Sequence, residues 1–398
     1  MKLNGRIDSL DSLRGIAAMI VVIFHCLLSF NVFYYANYED EYSNKFVELI
    51  TISPLHTIWA GKEAVLLFFV LSGFVLALPF LNGNAPEYKV YVVRRFFRIY
   101  IPYVVLIFIS GVLMIIFAEY KDIEYLSSTF NNRWDHYPTI TSILAHILMI
   151  NYDSANINGV VWSLYHEMRI SLFFPLIVLL FIKFNWKKAL GIALILTFIV
   201  YNGFTFVAHG FTNEMLAKLI LSFRETFYYL VFFIMGTTLA SRMNYVQSLI
   251  KPLNPGVKAS LFVLSLLLVN DRWMYKIVNF KGSLIDDILP GIGILILFSL
   301  ILSSEKIDKI LTLKPFLFLG NVSYSLYLVH IPVLMLSVTY LSKVLPVEFA
   351  FLLVPVLSLP FAYFAYKYIE IPSNNLGKKI GNKISNKQKA SYQQKQVA

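Results

Sequence analysis

The sequence predicts an all-α polytopic membrane bundle with both termini cytoplasmic, and three observations predict it. Of 398 residues, 58% are hydrophobic and only 14% charged, too little polar side chain to cover a water-soluble surface. Apolar runs of about 20 residues, the length needed to cross a hydrocarbon core, recur along nearly the whole chain. Basic and acidic residues then alternate from one connection to the next, which sets orientation.

Ten segments qualify as spans: 13–35, 57–81, 99–118, 161–182, 189–208, 215–240, 257–274, 284–303, 316–341 and 347–369. The first lacks a small-residue cleavage site and reads as a retained helix rather than a signal peptide. The even-numbered connections carry Lys89, Arg94, Arg95 and Arg98, then Lys183, Lys187 and Lys188, then Arg242, Lys251 and Lys258, then Lys306, Lys309 and Lys314. Odd-numbered connections carry Glu39, Asp40, Glu41 and Glu48, then Glu119, Asp122, Glu124 and Asp135. Cytoplasmic connections hold the basic excess, so both ends are expected in the cytoplasm. No internal repeat appears, so residues 1–376 form one integral domain and 377–398 a basic tail, expected to be disordered and to meet anionic lipid. The net charge of +11 is mostly this topology signal; with no basic surface domain, nucleic-acid binding is excluded. The single cysteine, Cys26, rules out an internal disulfide framework.

Polar residues inside the spans carry the chemistry. A charged side chain at mid-helix costs about 2.5–3.5 kcal/mol on insertion scales, so it faces the bundle interior or a wet cavity. His25, Glu63, Glu167, Arg224, Glu225 and His330 fall at such depths, and together they predict a polar cavity. The plainer reading of Arg224 with Glu225, and of Lys62 with Glu63, is an interhelical pair. Arg14 and His25 share one face of the first helix, eleven residues and about 16 Å apart. Arg14 reads as opening that helix, where cation and helix N-terminus together make an anion site; Asp11 or Ser12 reads as its cap. Arg94 and Arg98, four apart, share a face if helical and grip one polyanion together, with membrane anchoring as the rival reading.

Five stretches in order resemble the acyltransferase family 3 membrane enzymes, which acylate carbohydrates and related acceptors. They are Asp11-Ser12-Leu13-Arg14-Gly15 continuing to His25, Phe68-Phe69-Val70-Leu71-Ser72-Gly73-Phe74, Arg94-Arg95-Phe96-Phe97-Arg98-Ile99-Tyr100-Ile101-Pro102, Trp162-Ser163-Leu164-Tyr165-His166-Glu167, and Leu319-Gly320-Asn321-Val322-Ser323-Tyr324-Ser325-Leu326-Tyr327-Leu328-Val329-His330. The resemblance implies an O-acyltransferase, usually an O-acetyltransferase, of the bacterial cytoplasmic membrane. It takes its acyl group from cytoplasmic acetyl-CoA or another acyl-CoA and gives it to a hydroxyl of a cell-surface or lipid-linked glycan. Some relatives carry an extra esterase-like domain that this sequence lacks, so direct transfer and relay through a separate extracytoplasmic acyl-carrying protein both stay open.

On this reading Arg14, Arg94, Arg95 and Arg98 hold the coenzyme phosphates. His25 is the general base, since an unperturbed imidazole titrates nearest neutral pH, and Glu167 orients it or stabilises the imidazolium. Asp11, Glu63, Ser72, Trp162, Tyr324 and His330 complete the expected site. His330 has three readings: acceptor binding, a pair with Glu63, or structure. Trp162 either anchors at the interface or stacks on a sugar; Ser72 beside Gly73 permits close helix packing; Tyr324 makes an interhelical hydrogen bond. No histidine and carboxylate spacing argues for a metal. The competing class is a proton-coupled exporter or flippase of a glycan precursor, against which the missing inverted repeat counts.

Overall fold

The computed structural model describes residues 7–119, 123–275 and 285–397, with side-chain surroundings through Lys387. Asp122, Leu284 at the expected start of one span, and the side chains of Lys389 and Lys395 lie outside the described residues. Among those described, the chain is a helical bundle whose one β feature is an isolated bridge between Phe30 and Leu126. In order, α1 is Asp8–Leu28 and α2 Asn31–Tyr38. Next come α3, Gly61–Leu81, and α4, Tyr88–Arg95, which runs through a π turn at Phe96–Tyr100 into α5, Ile101–Phe117. Then come α6 at Trp162–Lys183, α7 at Trp186–His209, α8 at Glu214–Ile250, α9 at Pro255–Val269 and α10 at Ile285–Ser303. The chain closes with α11, Lys314–Leu341, and α12, Val347–Ala365, which passes through a second π turn at Tyr366–Glu370 into α13, Ile371–Val397.

Among the described residues nine helices are long and apolar enough to cross a membrane. The seventh expected span, 257–274, is shorter: α9 stops at Val269 and, at 1.5 Å per residue, reaches about 22 Å. It still runs from one end of the bundle to the other. Before it, Gln247 donates to Leu302 O at the end of α10; after it, Asn270 donates to Ser53 O and Arg272 to Asn37 O, at the end where α1 finishes. Asparagine caps start several helices, Asn185 on Lys188 N, Asn213 on Leu216 N and Asn254 on Val257 N, the last followed by Pro255. Phe108, Phe198, Phe206 and Leu352 project outward, as side chains facing lipid do.

The core forms where backbones touch. A Cβ on Gly15 would lie 2.3 Å from Leu319 C, and one on Gly320 2.6 Å from Asp11 C, so only glycine lets α1 and α11 cross this closely. Gly73 likewise lies against the Phe233 backbone of α8, the close packing expected beside Ser72.

Several boundaries differ from expectation. The helix α1 starts at Asp8, so Arg14 stands two turns inside it. Neither Asp11 nor Ser12 is a cap: the N-cap is Ile7, and Asp11 Oδ1 instead pairs with Arg14 Nη1 at 3.1 Å. The unsatisfied amides of a helix start are therefore not beside Arg14. At the other end α1 stops at Leu28, not near Tyr35. Ser127 Oγ donates to Leu28 O at 2.6 Å and Ser127 N to Ser29 O at 2.7 Å, taking carbonyls that a longer helix would need. The tail beyond residue 377 is helical. Gly377 lies on Phe97, Gly381 on Val90 and Arg94, and Arg94 Nη2 donates to Asn382 Oδ1 at 2.9 Å, so α13 is packed along α4.

Candidate active site

A cavity of about 720 Å³ opens at the end of the bundle where α1 begins and α13 lies. Arg14, Arg94, Arg95, Arg98 and Lys378 line it, with Asp11, Glu167 and Glu370 as its acids and Ser72, Tyr324 and Tyr327 deeper in. The four expected arginines thus come together from two elements. Arg94 and Arg95 stand four and three residues before Arg98, both spacings that share a helix face, so all three come to the cavity from α4 and the π turn that follows it at Phe96–Tyr100. The carbonyls of that turn are used from outside, Phe97 O by Ser373 Oγ and Ile99 O by Tyr324 OH at 2.6 Å, which makes Tyr324 the interhelical tie expected of it. The second π turn brings Glu370 to the same cavity, where Ser325 Oγ donates to its Oε2 at 2.9 Å. Sequence reasoning missed Glu370, which stands one residue past the last expected span. Arg14 is balanced by Asp11, while neither Arg95 nor Arg98 has a carboxylate ion-pair partner among the described residues.

Glu167 belongs to this cavity. Ser72 Oγ donates to its Oε1 at 3.1 Å, and the hydrogen bond on His25 comes from elsewhere. That bond is from Arg133 Nη2 to His25 Nδ1 at 3.0 Å. The His25 ring also stacks on His330, with centroids 5.4 Å apart and planes at 29°. His330 Nδ1 faces Leu326 O at 3.2 Å and its Nε2 is buried without a partner. Glu63 lies 4.0 Å from His56 Nε2, so His56 rather than His330 is its nearest histidine. Lys62 pairs with Asp286 at 3.1 Å and Asp287 at 2.7 Å instead of with Glu63, whereas Arg224 does pair with its neighbour Glu225. Trp162 is half-buried against Tyr229 and His166.

Arg133 was invisible to helix-by-helix reading because it comes from the connection between α5 and α6. That connection is fastened to the end of α1 by Ser127 and by Thr129 Oγ1, which donates to Leu28 O at 3.0 Å, and to α11 by Asn158 Nδ2 on Leu328 O at 2.9 Å. Next to Arg133, Trp134 takes a left-handed φ of 54°, a strained conformation for a bulky residue. Its N–H on Asn156 O at 3.0 Å and its indole on Ile157 O at 3.2 Å hold it there. Burial draws the Arg133 guanidinium down to about 10, so it is cationic at neutral pH. Arg133 also lines a second cavity of about 450 Å³ at the opposite end of the bundle, with Trp134, Asp135, Glu119, Thr339 and Lys343. His25 thus lies between two cavities that open at opposite ends.

A family model described as an acyltransferase domain matches residues 7–365, which spans α1 to the end of α12. The chain belongs to this acyltransferase family. The match takes in all five stretches that carried the resemblance, and the protein is a multi-pass membrane acyltransferase. Glu370 and α13 lie beyond the matched residues. Comparison with curated proteins and with solved structures gives no match.

Proposed function

We propose that this acyltransferase moves an acyl group, acetyl in the first instance, from cytoplasmic acyl-CoA to a hydroxyl of a cell-surface or lipid-linked glycan, with His25 as general base. The observation that carries this is the unbroken helix α1, which joins an arginine-lined cavity at Arg14 to an imidazole about 16 Å further on. Arg14, Arg94, Arg95 and Arg98 hold the coenzyme phosphates with charge-assisted hydrogen bonds; Lys378 adds a fifth cation, and the positive-inside bias puts this mouth in the cytoplasm. Glu167, tied to Ser72, lines the donor cavity and orients the donor arm there. His25 takes the proton of the acceptor hydroxyl as its oxygen bonds to the thioester carbonyl carbon. The carbon–sulfur bond then breaks, and the imidazolium returns a proton to the departing thiolate. His330 braces the ring of His25.

Binding of radiolabelled acetyl-CoA to the protein in lipid nanodiscs tests the donor half. Saturable binding that free coenzyme A displaces supports the reading. An exporter or flippase, the competing class, shows none.

A further inference from the structure

Arg133 is only 6% exposed, and among the described residues the one hydrogen bond of its guanidinium goes to an imidazole. Its Nη1 is buried without a partner, and no carboxylate pairs with it among the described residues. The two acids on its cavity wall are engaged elsewhere, Glu119 with Lys343 at 2.6 Å and Asp135 with His136. A buried cation without a counter-charge is costly and calls for an anion. The bond to His25 has a second consequence. A guanidinium only donates, so Nδ1 must offer its lone pair to Arg133, and the proton of the neutral ring sits on Nε2. In that state His25 has no free lone pair with which to accept a proton.

Building on the reading of His25 as base, we propose that the 450 Å³ cavity is the acceptor site, that it takes a sugar bearing a carboxylate or phosphate, and that Arg133 is its anion-binding residue and the lock on His25. When Arg133 turns its donors to the anion, Nδ1 is uncovered and can take the hydroxyl proton. Without acceptor, the lock keeps His25 from activating water against the thioester, so the acyl group is not wasted by hydrolysis. Arg133 is thus a positioning and specificity residue rather than the base itself.

Nitrogen-15 NMR of histidine-labelled protein in nanodiscs tests this, with the His25 signals assigned by their loss in His25→Gln. The wild type is expected to show an unprotonated Nδ1. Glucuronic acid or glucose 1-phosphate should shift the His25 signals while glucose does not, and whichever anion acts identifies the carboxylate or phosphate class. In Arg133→Met that response should vanish and acetyl-CoA hydrolysis without acceptor should rise, with acetyl-CoA affinity unchanged; Arg133→Lys should restore part of the response. A protonated Nδ1 in the wild type overturns the proposal. So does a response to glucose equal to that of the charged sugars, no response to either anion, or a response that survives in Arg133→Met. If acetyl-CoA does not bind the wild type, the donor reading fails, whereas the tautomer and sugar results judge Arg133 independently.

Discussion

His25 and His330 lie face to face with their ring centroids 5.4 Å apart, and only His25 is hydrogen-bonded to Arg133. The two histidines are therefore not equivalent: His25 is the ring whose Nδ1 Arg133 covers, and His330 provides a flat surface behind it. We expect His25→Ala to lower turnover by about 10²–10⁴-fold, the range of general acid–base catalysis, with acetyl-CoA affinity retained. His330→Phe, which keeps a ring in place, should retain most activity, and His330→Ala should lose more. Steady-state kinetics on the three variants check this; a dead His330→Phe with an active His25→Ala would reverse the assignment.

Arg98 lines the arginine-lined cavity without a carboxylate ion-pair partner among the described residues, whereas Arg14 is already paired with Asp11 at 3.1 Å. Removing one charge-assisted hydrogen bond costs about 1.5–3 kcal/mol, so Arg98→Ala should weaken acetyl-CoA binding roughly tenfold to a hundredfold. Arg14→Ala should weaken it less, because Asp11 already satisfies part of that charge. Titration calorimetry at two salt concentrations reads both effects, and an unchanged Kd for Arg98→Ala assigns that residue to membrane anchoring.

The crossing of α1 and α11 leaves no room for a side chain. Gly320→Val would drive its branched side chain into the Asp11 carbonyl and the Ser12 amide, and overpacking of this kind costs about 1–3 kcal/mol. Thermal unfolding in detergent should show the loss, while Gly111→Val, at a position with open space around it, should be near neutral.

His146 ties the short helix Ile140–Ile147 to the bundle, with Nδ1 at 2.9 Å from Tyr165 OH and 3.2 Å from Tyr103 OH. Burial lowers this imidazole from 6.5 to about 4. Below 6.5 the unfolded chain takes up a proton that the folded chain does not bind until about 4, so this contribution to stability is complete above 6.5 and is lost as pH falls towards 4. Melting temperature should drop over that window in the wild type and drop less in His146→Gln, even though the variant starts lower at pH 7.5. Parallel curves would remove His146 from the pH response.

The fold class was legible because composition and span length leave a chain little choice in a bilayer. The pairing of Arg14 with His25 was legible because helical geometry fixes the relation of residues on one element. Relations between elements were not. Arg133 reaches His25 across 108 residues of sequence, from a connection that no periodicity marks. Glu167 is expected beside His25 from the resemblance and the role of the acid in a triad, but its hydrogen bond comes from Ser72 of α3. The π turns at Phe96–Tyr100 and Tyr366–Glu370 escaped notice because a π turn has no residue signature, and Glu370, at the end of the second, lines the arginine-lined cavity. The tail beyond residue 377 read as disordered from its lysines; Gly377 and Gly381, which let it lie against α4, gave no such signal on their own.

The central claim is transfer of an acyl group through His25. Membranes carrying the protein, supplied with radiolabelled acetyl-CoA and total surface glycan from the producing cells, measure it directly. The account predicts label in base-labile ester linkage to glycan with wild-type protein and none above background with His25→Ala. Equal labelling by the two proteins would contradict it.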